Sequence, residues 1–453
     1  MKCFIRPISA LMGVMLFLCV VGVREAMPQS GLSLQAFSQP TQGWQQVEDV
    51  SVPFAKPQTM TTQAGEGIFA FVPTRRVSQA SDLVTIAEHG DIELEFDYLL
   101  AAGSRATIAL QDAYEFIVSD SQAEAAATAT GNGGITGYAP RQQVGKAPGL
   151  WQTVKLAFRA PEFDATGKKT LPARLVRAQL NGVTIHENAA LHPRSGATEK
   201  ATGPLRIAAS GAIAFRNVKL SALPSGQANQ GNNNQPNPIL VNAETTRVLR
   251  SFVDIPGRRV VHAVSVGHPQ HVHYTYDMDH GTIVQAWRGD FLDATPMWHN
   301  RGNGTSRALG APIYFGTPQP ALAQLDSRNA AWPSDTAGTG YRPKGYRLDK
   351  QDQPTFKYEL YGTTVEDFTV PLPGGEGLSR TVRVDNATGN LYLQLAKASE
   401  IEDQGNGVYV IGDKSWYVRL DDSGREKPFI RDHQDGKELL VPVRGSVRYS
   451  IIF

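Results

Sequence analysis

The sequence predicts an all-β protein made of two β-sandwich domains in series. Three observations point there. Short segments alternate apolar and polar side chains with a period of two, as half-buried strands require; the clearest is Asp91-Ile92-Glu93-Leu94-Glu95-Phe96-Asp97-Tyr98. Glycine, proline, asparagine and aspartate separate such segments at short intervals, as in sandwiches and barrels. No amphipathic helical pattern longer than about 12 residues interrupts them, and no self-similarity at periods of about 20–50 residues suggests a solenoid. At 453 residues the chain is long enough for two domains.

Residues 1–26 read as a secretory signal. Lys2 and Arg6 precede an apolar run over 8–23, and cleavage is expected near Ala26. The run is shorter than the ~20 residues that span a bilayer, so the mature chain is expected to be periplasmic or secreted and not membrane-spanning. The two cysteines, Cys3 and Cys19, lie inside this segment. The mature protein would then have no disulfide and no thiolate site, leaving packing and sheet hydrogen bonds to hold it.

The first domain is expected over 27–223. Trp44 is the one large anchor of its polar beginning. Strands are predicted over 67–72, 91–98, 106–110, 113–120, 152–158, 175–180, 183–185, 205–207 and 212–220. Asn181-Gly182 between two of them is the strongest short hairpin signal. Residues 224–242, rich in Asn, Gln, Gly and Pro, read as a flexible linker. The second domain, 243–453, has strand-like segments over 260–266, 272–276, 283–287, 356–361, 391–395, 408–411, 416–420 and 447–453.

Charge and motifs exclude several classes. A net charge of +1 with 19% charged residues gives no electrostatic case for nucleic acid or an anionic membrane. There is no GxSxG, P-loop, HExxH, EF-hand or dinucleotide fingerprint, so no nucleotide or other cofactor is expected.

The chemistry is expected around residues 131–151, GNGGITGYAPRQQVGKAPGLW. Six glycines and two prolines forbid a helix, and the segment is too long for a hairpin turn. Long loops in compact domains are usually functional or disordered. This one carries Tyr138, Arg141, Lys146 and Trp151. Tyr138 and Trp151 could stack on a sugar ring; Trp151 could equally be core, since large aromatics dominate cores. The preceding strand carries Tyr114, Glu115 and, on its opposite face, Asp120. Two carboxylates could serve as acid and base at a glycosidic bond, or could simply bind loop N–H groups. The acidic stripe Asp91, Glu93, Glu95 and Asp97 reads as a solvated strand face, with a sugar or metal role for one carboxylate as the alternative.

The series YEFIVSD, GGITGYAPRQQVGKAPGLW, FRAPEFDATGKKT, LNGVTIHEN and GPLRIAASGAIAFRNVKL resembles the 3-keto-disaccharide hydrolase domain family over residues ~30–223. The resemblance implies a concanavalin-like (jelly-roll) β-sandwich and hydrolysis of oxidised glycosides. It places Tyr114, Glu115 and Asp120 on the concave face. A 3-keto sugar has an acidified proton beside its carbonyl, so a general base could start an elimination that hydration completes. In that scheme Glu115 is the base, Arg141 the oxyanion stabiliser, and Tyr138 or Asp120 the proton donor; Tyr114, Lys146 and Trp151 bind substrate. Family members often carry Asn-Ser-Gly and a strand arginine where this chain reads Gly103-Ser104-Arg105-Ala106-Thr107. Binding of carbohydrate without turnover is therefore the alternative.

Two further clusters lie in the second domain. GHPQHVHYTYD holds His268, His271 and His273; His271 and His273 at alternate positions would share a strand face, as a His-x-His site would. With no firm third ligand, no metal site is assigned. Trp287-Arg288-Gly289-Asp290 and Met297-Trp298-His299-Asn300-Arg301 suggest either an ion-paired corner or a carbohydrate-facing rim. This half resembles a β-rich domain that accompanies keto-disaccharide hydrolase domains in exported proteins. A third role follows: docking to an exported oxidoreductase.

Overall fold

The computed structural model describes residues 31–453 except 122, 123, 125, 225–236, 300–302, 388, 434 and 435. The expected signal segment, most of the expected linker, and Asn300 and Arg301 of the tryptophan–arginine cluster lie outside the described residues. The described chain is all-β, and its longest helix is the five-residue Thr295–His299. No described helix is long and apolar enough to cross a membrane.

The first half is a two-sheet sandwich. Its larger sheet runs, in spatial order, Trp44–Ser51, Thr61–Phe71, Ile213–Ala222, Ile92–Leu100, Gln152–Arg159, Arg174–Leu180 and Val183–Ala190. The smaller runs Leu83–His89, Gly203–Ser210, Arg105–Leu110 and Tyr114–Ser119. Alternation decides which side faces in. Ile92, Leu94, Phe96 and Tyr98 are all buried in the core between the sheets. Each such side chain contributes about 1.5–3 kcal/mol by leaving water. Asn181 and Gly182 form the expected two-residue turn, both with positive φ (51° and 82°). Trp44 anchors the edge: its indole N–H donates to the Ser81 carbonyl at 2.9 Å and its ring meets Phe69, Phe71 and Phe215.

The second half stacks further sheets. One eight-stranded sheet contains Arg247–Ile255, Arg258–Gly267, Val272–Asp277 and Thr282–Arg288. Another runs from Arg342–Leu348 through Thr363–Pro371, Gly377–Val384 and Ser446–Ile452 to Ile401–Gly405. A four-stranded sheet joins Leu391–Ala398 to Gly436–Pro442. They share one core, in which Tyr276 and Phe356 stack at 3.9 Å. The end of the expected linker is not loose: Leu240–Val241 pairs with Leu292–Asp293, because it satisfies an otherwise open strand edge.

The halves meet on a seam built largely by residues 141–151. Ala147 and Leu150 join Leu372, Val408, Val410, Tyr417 and Ile452 in one apolar cluster, with Phe54 packed against it. The Tyr417 hydroxyl donates to the Pro148 carbonyl at 2.9 Å, and the Trp151 N–H to the Lys414 carbonyl at 3.0 Å. Ion pairs Lys414–Asp49 (2.8 Å) and Arg216–Asp413 (2.5 Å) flank it. Gly149 has φ +81°, and a Cβ there would collide with the Tyr417 hydroxyl, so this approach requires glycine.

Candidate functional site

Beside the seam lies a cavity of about 410 Å³ shared by both halves. The first half contributes Glu124, Arg141, Gln142 and Gln143; the second contributes His271, Arg288, Asp290, Gly374 and Gly375. Gly374 also lines a neighbouring cavity of about 370 Å³, with Asp120, Pro148, Glu376, Tyr417 and Arg419. The two cavities meet at Gly374 and together flank the seam as a groove between the halves.

Local structure aims each side chain. The Arg141 N–H donates to the Ile185 carbonyl at 3.0 Å, which continues the edge of the Val183–Ala190 strand. Its guanidinium meets Glu187 at 3.5 Å, an exposed pair of little intrinsic strength. Gln142 pins the opposite wall: it donates to the Leu309 carbonyl at 3.1 Å and accepts from the Asp290 N–H at 2.7 Å. Gly289 permits this, since a Cβ there would strike the Gln142 amide. His271 takes φ +56° in the turn before Val272–Asp277, which turns its ring out to solvent. The Asp290 carboxylate has no hydrogen-bond or ion-pair partner among the described residues.

Arg288 is 6% exposed, and its Nη2 donates to the Gly375 carbonyl at 2.6 Å. Burial pulls its guanidinium down to about 10, with the charge of Glu376 opposing. Burial also raises the Glu124 carboxyl above its usual range, the charge of Asp120 adds to this, and Arg105 opposes it. A carboxyl raised in this way is suited to donate a proton.

Residues 32–221 match the family model of the 3-keto-alpha-glucoside-1,2-lyase-like domain. This match covers the first sandwich and supports a glycan-processing, hydrolase-type function for it. Two solved structures of candidate glycosyl hydrolases from Parabacteroides distasonis ATCC 8503 are similar to the chain. One is 16% identical, covering 41% of this chain and 80% of the other, with a TM-score of 0.28. The second is 15% identical, covering 42% and 94%, with a TM-score of 0.29. The binding domain of botulinum neurotoxin serotype D is 7% identical over 90% of this chain and 91% of the other, with a TM-score of 0.22. At these scores the structural likenesses carry no argument. No curated protein matches the chain.

Within the lyase-like domain, the expected single cleft of Glu115, Asp120, Tyr138 and Arg141 needs correction. The Glu115 carboxylate faces Arg206 (3.4 Å) and Arg194 (3.7 Å) on the outside of the smaller sheet, because its strand alternates and Tyr114 and Phe116 point inward. Asp120 accepts from the Gly103 N–H at 3.0 Å and lines the second cavity. Tyr138 is half-buried against the sandwich core, its N–H closing a turn onto the Ile135 carbonyl. Only Arg141 reaches the larger cavity.

The expected sugar-binding side chains are also placed elsewhere. Tyr114 is wholly buried, donating to Glu199 at 2.7 Å, so it has no ring face to offer. Trp151 is 6% exposed in an apolar cluster, with the Arg216 guanidinium 4.1 Å above its ring. Lys146 lines neither cavity; burial at the seam lowers its ammonium to about 8 against the charges of Asp97 and Asp413. The acidic stripe is engaged by neighbours: Asp91 with Arg159 (2.7 Å), Glu95 with Lys155 (3.1 Å), and Asp97 with Thr153, Asn217 and Arg216.

His271 and His273 do not share a face, because the left-handed turn at His271 precedes the strand. His273 uses both nitrogens: Nδ1 accepts from the His268 N–H at 3.0 Å and Nε2 donates to the Gly289 carbonyl at 2.8 Å. Burial lowers His268 to about 4 and His273 to about 3. Both are bound neutral in the fold but protonate near 6.5 when unfolded. Their stabilisation is therefore complete above that pH and is lost as pH falls from 6.5 toward 3–4. The loss should be about 1.4 kcal/mol per pH unit for each histidine. Denaturant titrations from pH 7 to 4.5 should show this slope, and His273→Phe should flatten it.

Glu124 was hidden in the sequence by its small-residue surroundings, AEAAATAT. Arg288 and Asp290 stood in a noticed motif, but the structure gives Arg288 a carbonyl rather than the expected carboxylate partner. No local signal announces that Gly375 would reach it.

Proposed function

We propose that this protein cleaves 3-keto-glycosides by elimination and hydration, in the groove between its two halves. One observation carries the reading. A carboxylate with no partner among the described residues (Asp290), a carboxyl of raised pKa (Glu124) and a weakly held guanidinium (Arg141) line one cavity, and the last two belong to the domain that matches the lyase-like family.

The C3 carbonyl acidifies the proton on C2. Asp290 takes that proton, and the electron pair moves toward O3, whose developing charge faces Arg141. The pair then forms the C1–C2 double bond and breaks the C1–O bond. Glu124 protonates the departing oxygen. Glu124, now a carboxylate, takes a proton from a water whose oxygen adds to C1, while Asp290 returns its proton to C2. Asp120 is a positioning residue here, since its charge keeps Glu124 protonated to higher pH. A ketone at C3 must be supplied by an oxidoreductase, which fits the partner expected from the sequence. Export, resting on residues 1–26, would be read by fractionating cells.

Product release from a 3-keto-disaccharide tests the scheme. Asp290→Asn and Glu124→Gln should each lower kcat about 10²–10⁴-fold. Glu115→Gln, outside the groove, should leave kcat near that of the parent. Full turnover by Asp290→Asn, or its loss in Glu115→Gln with the fold intact, would overturn the assignment.

A further inference from the structure

Among the described residues, buried guanidinium groups follow a rule with one departure. Arg380 lies against Asp367, with Nη2 at 2.5 Å and side-chain exposures of 4% and 0%. Arg431 lies against Glu438 at 2.6 Å, with exposures of 9% and 0%. Each buried cation has a buried carboxylate. Arg288 is as deeply placed and has no ion-paired or hydrogen-bonded carboxylate among the described residues; Glu376 acts on it through its charge without forming an ion pair. Its Nη2 holds a neutral carbonyl, and its Nε is buried without an acceptor. Nη1 is neither hydrogen-bonded to a described residue nor sealed from solvent. Leaving a charge buried without its counterion costs several kcal/mol.

The unpaired cation lies on the wall of the groove, not in the packed interior. Arg288 lines the larger cavity together with Arg141 and His271, both exposed. We infer that Arg288 is an oxyanion subsite, and that the saccharide bound here carries an acidic substituent: a carboxylate, a sulfate ester or a phosphate ester. This rests on the saccharide reading of the groove given above and deepens it. The missing counterion is then part of the ligand, and a guanidinium with free N–H groups suits an oxyanion. Glu124 and Asp290 line the same cavity, so the groove favours one acidic group at the Arg288 end and repels a polyanion.

The test is calorimetric titration of the full chain with unoxidised sugars, so that it needs no cleavage. Glucuronate, glucose 6-sulfate and glucose 6-phosphate are compared with glucose. At least one acidic sugar should bind about tenfold or more tightly than glucose, and raise the melting temperature of the parent protein. The three arms show which oxyanion is preferred. Arg288→Met should remove the preference while glucose binding persists, and Arg288→Lys should keep part of it. Equal affinity of the parent for glucose and all three acidic sugars would overturn the subsite, as would an undiminished preference in Arg288→Met. Because these ligands carry no ketone, failure of the cleavage assay and failure of this one are separate results.

Discussion

Replacing Asp367 by alanine is expected to cost about 3–5 kcal/mol of stability, the usual penalty for stranding a buried charge. Asp367 and Arg380 sit on the neighbouring strands Thr363–Pro371 and Gly377–Val384, and both side chains point into the second core. The guanidinium makes two bonds to the carboxylate, Nε to Oδ1 at 3.0 Å and Nη2 to Oδ2 at 2.5 Å. Tyr276 donates to the same carboxylate at 3.0 Å, and Arg380 Nη1 donates to the Tyr449 hydroxyl at 3.0 Å. Removing Asp367 leaves the cation and the Tyr276 phenol without their shared acceptor. Urea titration of the full chain should show the loss. Asp367→Leu combined with Arg380→Met should recover most of it, because a well-packed apolar pair needs no desolvated charge. A loss below about 1 kcal/mol in Asp367→Ala would mean that the pair is not buried as described.

Tyr417→Ala is the second large effect, expected at about 3–5 kcal/mol for truncating a buried aromatic. Tyr417 is 1% exposed, its ring meets Phe54 at 5.2 Å, and its hydroxyl bonds Pro148. Unlike Asp367, it couples the two halves. Its loss should therefore split one calorimetric transition into two, as the sandwiches melt separately. The groove should lose its shape at the same time, so cleavage of a 3-keto-disaccharide should fall although Arg141, Glu124 and Asp290 are untouched. A single unshifted transition with full turnover would show that the seam does not assemble the site.

Much of the fold was legible because strand periodicity is local. Residues 92–98 declare their inward face by type alone, and Asn181-Gly182 declares its turn by needing two positive φ angles. Strands such as Leu83–His89 and Thr363–Pro371 were harder. Ile86 is apolar yet 71% exposed, and Asp367 is charged yet wholly buried, so each inverts the pattern that periodicity reads. The site was legible only in part. Loop composition flagged residues 131–151 as ordered, which they are, and Arg141 lines a cavity. What composition could not supply was the loop's destination. Its later half docks Ala147 and Leu150 onto the second domain and draws Lys146 into the seam, while Trp151 folds back into the packing of its own sandwich. Glu115 looked catalytic beside this loop, but Arg194 and Arg206, distant in sequence, claim it.

The Pro148–Tyr417 bond joins residues 269 positions apart. During synthesis the first sandwich therefore emerges complete while the surface that receives it does not yet exist. Until the last strands are made, Ala147 and Leu150 stay wet and adhesive, a natural landing place for a holdase. A chain cut short before Tyr417 would thus carry a folded first sandwich, an incomplete second half and a sticky, inactive face.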